Sequence, residues 1–498
     1  MLARTLMIQG TASNVGKSLL VTALCRYFRQ KGVRVAPFKS QNMALNSFVT
    51  REGLEIGRAQ AEQAGACGID SHVDMNPVLL KCESDHRVQV VVEGRAVASM
   101  TGEDYYAYSQ KLRPVIEASL KRLRERYELV ILEGAGSPAE VNLQERDLAN
   151  MFPARLADAP VLLVGDIDRG GVFASLLGTL ELLPSSDRSR VKGLVINKFR
   201  GNLDILKPGL SFLEEKTGLP ILGVLPHLPN LGLAAEDSVA LEESRGPEGK
   251  SLLEIAILRF PHLSNFDDFL PLEKSEGVRV RYVSRPEEAE GVDLLILPGT
   301  KTTVADLKWL KDSGFEPLLQ RRVKEGRPLL GVCGGYQMLG EEILDPHQVE
   351  SREISVKSLG FLPVVTRFEK EKVTTQVEAE TGGSDFLRGG AVRAYEIHVG
   401  RVTPKEKSTS LFRVVSRNNQ PVDAPEGAQS GPVMGTLLHG LFENEKLREG
   451  FLGELARRKG VALKICPHSK EEVYDRLADM VRQYLDTGLL EKIVEGKI

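Results

Sequence analysis

MIQGTASNVGKSLLVTALCRYF, residues 7–28, runs from an apolar stretch through a glycine loop into an apolar-periodic helix. That order predicts strand, phosphate loop and helix. Backbone N–H groups of such a loop converge at the helix N-terminus, where the helix dipole favours phosphate oxygens. Lys17 is placed to reach the β- and γ-phosphates, and the Ser18 hydroxyl to ligate Mg²⁺. The spacing departs from G-x-x-x-x-G-K-S. Gly10 stands one residue further back, and Thr11 holds the usual glycine position. The flanking strand and helix argue against a chance Gly-Lys-Ser.

Outside this stretch, RTLMIQG, VRVAPFK, ELVILEGAG, APVLLVGDID and VKGLVINKF are short, rich in Val, Ile and Leu, and alternate with helical stretches. Runs of that kind predict parallel strands buried on both faces. Ligands of open α/β sheets bind outside the carboxyl ends of the strands. Glu133 ends one strand and can hold Mg²⁺ through water, or be a solvated strand-end acid. Asp166 and Asp168 end another, as metal ligands or as turn caps. Lys39 ends a third, near a transferring phosphoryl group or simply solvated.

The pattern pauses at EDSVALEESRGPEGKS, residues 236–251, which is charged, holds Gly and Pro and lacks an apolar period. It is expected to be a linker. A second α/β series follows: LEIAILRF, VRVRYV, VDLLILPGT and RPLLGVCGG. The domains expected are therefore 1–235 around the phosphate loop, 252–450 around the second series, and a helical tail over 451–498. GVCGGYQMLG, residues 331–340, reads as strand, sharp turn and helix with Cys333 at the turn. A cysteine there is exposed at a helix N-terminus, which favours thiolate. Gly331, Gly334 and Gly335 suit a tight elbow. The N–H groups of Gly334 and Gly299 are candidates for an oxyanion hole. TLLHGLFEN supplies His439 as base. Without the elbow, Cys333 and His439 would each read as ordinary core residues.

The 498 residues are 42% hydrophobic and 27% charged, with a net charge of −3. Nothing in that balance points to nucleic acid or an acidic membrane surface. No apolar run is long enough to span a bilayer. Cys25, Cys67, Cys82, Cys333 and Cys466 are odd in number and lack metal spacing, so no disulfide framework and a cytoplasmic location are expected.

At these residues the chain resembles known families. GTASNVGKS, EGAG and the strand order resemble the dethiobiotin-synthetase-like ATP-binding fold. GVCGGYQMLG with LLHGLFE resembles a class I glutamine amidotransferase domain. The two together resemble the cobyrinate amidating enzymes of cobalamin synthesis. Six longer strings, PFKSQNMALNS, NPVLLK, DIDRGGVFAS, INKFRG, VLPHLPN and YEIHVGR, are similar to the cobyric acid synthases among them. The fold class implied is α/β in two domains: an N-terminal P-loop domain with a mostly parallel sheet, and a C-terminal class I glutamine amidotransferase-like α/β domain.

The resemblance implies an ATP- and glutamine-dependent ligase. It would amidate the b, d, e and g carboxylates of adenosylcobyrinic acid a,c-diamide through acyl phosphates, with ATP and Mg²⁺ as cofactors, glutamine and the corrinoid as small-molecule partners, no nucleic acid or membrane, and the oligomeric state left open. Gly10, Thr11, Gly16, Lys17, Ser18, Lys39 and Asn197 would bind ATP. Ser18 and Glu133 would hold the metal. Cys333 and His439 would form the glutaminase pair. Glu443, four residues after His439 rather than the family's two, completes a triad or leaves a dyad. Cys82 stands where the family string has proline, and His398 is structural or corrin-facing. The alternatives are a cobyrinic acid a,c-diamide synthase, against which SQNMALNS and DIDRGG argue, and a Walker-type ATPase switch, which needs no thiol elbow. A binding module that has lost catalysis does not fit the intact Lys17 and Cys333.

Overall fold

The computed structural model describes residues 2–84, 87–228, 251–405, 408–464 and 469–498. The expected linker lies outside these residues except for Ser251, as does Cys466. The chain divides into two units: Met1–Ala44, Ile56–Leu233 and Ser469–Ile498 form one, and Leu45–Glu55 with Ala234–His468 the other.

The first unit is built on six parallel strands. Their order is Ile221–Pro226, Val191–Phe199, Val161–Asp166, Arg4–Gly10, Leu129–Glu133 and Val35–Phe38. The three central strands are apolar on both faces because helices cover both, and their residues are almost wholly buried. Strand Arg4–Gly10 is central. The chain leaves it first toward one edge and later toward the other, so its carboxyl end lies at the topological switch point where such sheets take ligands. A small sheet formed by Gln41–Met43, Val78–Ser84, Arg87–Val92 and Arg95–Thr101 adjoins in the same unit.

Two departures from the expected domain limits have plain physical causes. The tail over 451–498 is not one element. Helix Glu445–Lys459 buries Phe451, Leu452 and Leu455 in the second unit. Helices Lys470–Tyr484 and Thr487–Val494 instead cover helix Lys17–Gln30 in the first. Their apolar faces, Tyr474, Leu477, Val481, Leu490 and Ile493, need cover, and each fully buried side chain of that size contributes about 1.5–3 kcal/mol. Ion pairs from Arg26 to Glu471 and Asp475 edge that contact. The second departure is Leu45–Glu55, which interrupts the first unit in sequence and packs within the second.

The second unit carries five parallel strands and one antiparallel: Val278–Val283, Leu253–Leu258, Leu294–Leu297, Leu329–Val332, Val433–Thr436 and Ala428–Ser430. A second sheet is dominated by the hairpin of Val364–Thr381 with Ala391–Pro404. The stretch around YEIHVGR is therefore part of one long strand. Among the described residues no helix is long and apolar enough to cross a membrane.

Candidate functional site

In the first unit, Gly16 caps helix Lys17–Gln30 with φ 101°, a left-handed conformation that side chains resist. A Cβ on Gly16 would lie 2.1 Å from Asn197 Nδ2, and one on Gly10 would lie 2.4 Å from Val15 Cγ2 and 3.1 Å from Lys17 Nζ. The loop thus has no room for a side chain at either glycine, as a phosphate cradle requires. Lys17 Nζ donates to the carbonyls of Ala12 and Gly136 at 2.9 and 3.1 Å. Those bonds arch the lysine back over its own loop.

Glu133 gathers the remaining polar groups. Its carboxylate accepts from Ser18 Oγ at 2.8 Å, from Lys39 Nζ at 2.9 Å and from Gln63 Nε2. Glu133, Lys39 and Gln63 are all buried. Nothing local in the sequence marks Gln63, a helical glutamine, as a partner of a strand-end acid. Ser18 Oγ and the Glu133 carboxylate are hard oxygen donors side by side, which fits a Mg²⁺ completed by phosphate oxygens and water. Among the described residues no cluster of three or more His, Cys, Asp or Glu forms a cage of its own.

The other strand-end groups have partners of their own. Asp166 accepts the Asp168 N–H at 2.9 Å and pairs with Lys198 at 2.8 Å, and Asp168 pairs with Arg200. Of the two readings of Asp166, the geometry matches the turn cap. Asn197 donates to the Val15 carbonyl at 2.8 Å and accepts from the Lys198 N–H, so its side chain braces the loop.

In the second unit, Cys333 stands between strand Leu329–Val332 and helix Gly334–Leu339 with φ 51° and ψ −111°. A non-glycine residue there is strained, and such strain concentrates at functional sites. The elbow survives because its neighbours lack side chains. A Cβ on Gly335 would lie 1.9 Å from the Leu297 carbonyl oxygen, and one on Gly331 2.7 Å from the Tyr336 nitrogen. Cys333 N donates to Thr436 O at 2.8 Å, tying the elbow to the strand that leads to His439. Cys333 is buried rather than exposed, because strand Ala391–Pro404 brings the Ile397 carbonyl to 3.8 Å from its thiol.

His439 is buried, and its Nδ1 lies 2.6 Å from Asp268 Oδ2. Its Nε2 makes no hydrogen bond among the described residues, and the Cys333 thiol is close enough to influence the ring's protonation. Burial works against the imidazolium, but Asp268 and Cys333 outweigh it and raise His439 to about 10. A Cβ on Gly299 would lie 3.2 Å from His439 Cε1, and one on Gly334 would lie 2.6 Å from Thr300 Cγ2. The 299–300 loop therefore runs beside both the histidine and the elbow.

Glu443 does not take the third position. It is exposed, in the turn Leu441–Glu443. The carboxylate on Nδ1 belongs to Asp268, from NFDDF in the turn Phe266–Phe269, far upstream in the chain. Two adjacent buried acids in an otherwise aromatic turn were the available sign, but nothing in spacing relates them to His439. His398 is buried, with neither ring nitrogen hydrogen-bonded among the described residues, and burial lowers it to about 4. Cys82 is exposed, and Cys25, Cys67 and Cys333 are free thiols.

Residues 6–240 match the CobQ/CobB/MinD/ParA nucleotide binding domain, and residues 254–447 the CobB/CobQ-like glutamine amidotransferase domain. The chain is 51% identical to the cobyric acid synthase of Sorangium cellulosum (strain So ce56), over 99% of each chain. It is 49% identical to that of Dehalococcoides mccartyi (strain CBDB1), over 99% of this chain and 98% of that one. It is 46% identical to that of Desulforamulus reducens, over 100% and 99%.

Proposed function

This chain belongs to the cobyric acid synthase family of glutamine-dependent amidotransferase ligases, and we propose that it amidates the b, d, e and g carboxylates of adenosylcobyrinic acid a,c-diamide. The observation that carries this reading is the Cys333–His439–Asp268 arrangement, held on one chain with the Gly10–Ser18 cradle and its Glu133 acid.

In the glutaminase unit, His439 takes the proton of Cys333. The sulfur attacks the side-chain carbonyl carbon of glutamine, and the oxygen becomes an oxyanion. The N–H groups of Gly334 and Gly299 are the donors assigned to it in this reading. His439 returns its proton to the departing nitrogen, the C–N bond breaks and ammonia leaves. Water then cleaves the glutamyl thioester to glutamate and restores the thiol. Asp268 holds the imidazole in one orientation and stabilises its charged form throughout.

In the nucleotide-binding unit, the loop N–H groups and Lys17 bind and orient the phosphates of ATP. A corrin carboxylate oxygen attacks the terminal phosphorus, giving an acyl phosphate and ADP. Ammonia adds to the activated carbonyl and expels phosphate, leaving an amide. Ser18 and Glu133 would hold Mg²⁺, which supplies charge neutralisation at the phosphates. Lys39, on Glu133, adds a second positive group there.

Mass spectrometry of purified protein with ATP, Mg²⁺, glutamine and the a,c-diamide tests the reading. Each exchange of a carboxylate OH for NH₂ leaves a fixed mass step, matched by phosphate release. Four steps are expected. Amidation of cobyrinic acid twice, with none on the a,c-diamide, would move the chain to the sibling activity.

A further inference from the structure

The glutaminase unit includes Leu45–Glu55, a segment far upstream in sequence of the rest of that unit. It is tightly held. Gln376 Nε2 donates to the Val49 carbonyl, Thr374 Oγ1 donates to the Gly53 carbonyl at 2.6 Å, and Ser47 N donates to Asn265 Oδ1 at 3.1 Å. Lys372 forms an ion pair with the buried Glu55. Phe48 meets Tyr395 edge-on with centroids 5.1 Å apart. The Tyr395 hydroxyl donates to the Ser47 carbonyl at 3.2 Å and accepts from Asn265 Nδ2 at 3.4 Å.

The ring of Tyr395 lies on His439, with centroids 5.3 Å apart and planes inclined by 19°. The two residues also exchange backbone hydrogen bonds, Tyr395 N to His439 O at 3.2 Å and His439 N to Tyr395 O at 2.8 Å. Tyr395 therefore has segment 45–55 on its hydroxyl and the glutaminase histidine against its face.

We propose that Tyr395 is a positioning residue for His439, and that residues 45–55 are the clamp that sets its place. The inference rests on the Cys333–His439 reading. Asp268 fixes the imidazole at one atom, about which the ring can still rock. A stacked, buried aromatic face removes that freedom, and displacement of a positioned group by about 1 Å costs as much as about a hundredfold in rate. The hydroxyl tie makes the tyrosine plane depend on the Ser47 carbonyl. In sequence, the segment is flanked by Lys39 before it and Gln63 after it, and both bond the Glu133 carboxylate. The stretch that carries the Glu133 partners thus also carries the clamp on the histidine.

The test uses the full-length enzyme and Tyr395→Phe, which keeps the ring and removes the tie. The expected result is a roughly tenfold fall in glutamine-dependent kcat, as for loss of one buried hydrogen bond, with the KM for glutamine and ammonia-supported turnover unchanged. Thr374→Val removes the bond to the Gly53 carbonyl from a residue paired with Ile397 rather than with Tyr395, and should lower the same parameter. A wild-type kcat in either variant overturns the inference. So does an equal loss of ammonia-supported activity, which would mark a general folding defect. Wild-type enzyme unable to hydrolyse glutamine would overturn the glutaminase reading and this inference with it; wild-type turnover beside an unaffected Tyr395→Phe overturns the inference alone.

Discussion

His439 Nδ1 lies 2.6 Å from Asp268 Oδ2, and the other oxygen of the same carboxylate receives the Gly440 N–H at 2.8 Å. One acid thus fixes both the ring and the backbone that carries it. Asp268→Asn keeps the shape but removes the charge and favours the wrong tautomer. Glutamine-dependent kcat should fall by about 10²–10⁴, as when the acid of a comparable triad is made an amide. Glu443→Gln, on an exposed turn, should stay within about twofold of wild type, the ordinary range for a surface change. Equal losses in the two variants would return Glu443 to the triad. The pH profile gives a second reading. Asp268 helps raise His439 to about 10, so the asparagine variant should lose its imidazolium at lower pH and its alkaline limb should move down.

Cys333 occupies a strained elbow, and in the proposed reaction its sulfur is the attacking atom. Cys333→Ala should abolish glutamine-dependent amidation while turnover on added ammonium salts continues. The two nitrogen sources are compared at equal ATP and corrin. Loss of both in a folded protein, judged by circular dichroism, would contradict separable sites.

The phosphate loop and the cysteine elbow were legible in the sequence because each lies on a strand-loop-helix joint. Gly10 to Ser18 and Gly331 to Gly335 are such joints, and a tight turn with close backbone approach demands glycine. VKGLVINKF reappears as strand Val191–Phe199, because burial on both faces demands an unbroken apolar run. Asp268, Gln63 and Tyr395 were not legible, since each acts across a long sequence separation that no period records. The assignment of Leu45–Glu55 and the last two helices to a unit other than that of their sequence neighbours was hidden for the same reason. Residue order says nothing of which apolar face meets which.

In the proposed reaction Lys17 and Glu133 serve the phosphates, so the effect of their loss should not depend on the nitrogen source. Lys17→Ala should abolish product with glutamine and with ammonia alike. Glu133→Gln should lower both by about 10²-fold or more, the scale for losing a charged group at a phosphoryl-transfer site. It should also raise the Mg²⁺ concentration needed for half-maximal rate. Product formation at the wild-type rate with Lys17→Ala would remove the loop as the ATP site.

Glu426 provides a test of stability. It is buried and accepts from Thr436 Oγ1 and Leu437 N, each at 2.7 Å. Burial pushes its carboxyl up to about 7, against the opposing pull of those two donors. A folded-state value raised above the unfolded one favours the protonated form. The stabilising contribution is therefore complete below the unfolded value near 4.5 and is lost as pH rises through 7. Glu426→Gln mimics the neutral acid: its carbonyl can still accept from Leu437 N, and its amide can donate to Thr436 Oγ1. It should stabilise the protein by about 1–3 kcal/mol near pH 8 and by almost nothing near pH 5, since each tenfold change in a protonation equilibrium is worth about 1.4 kcal/mol. Denaturant unfolding of both proteins at the two pH values measures the difference. A gain independent of pH, or a loss at pH 8, would mean that Glu426 is ionised in the folded protein.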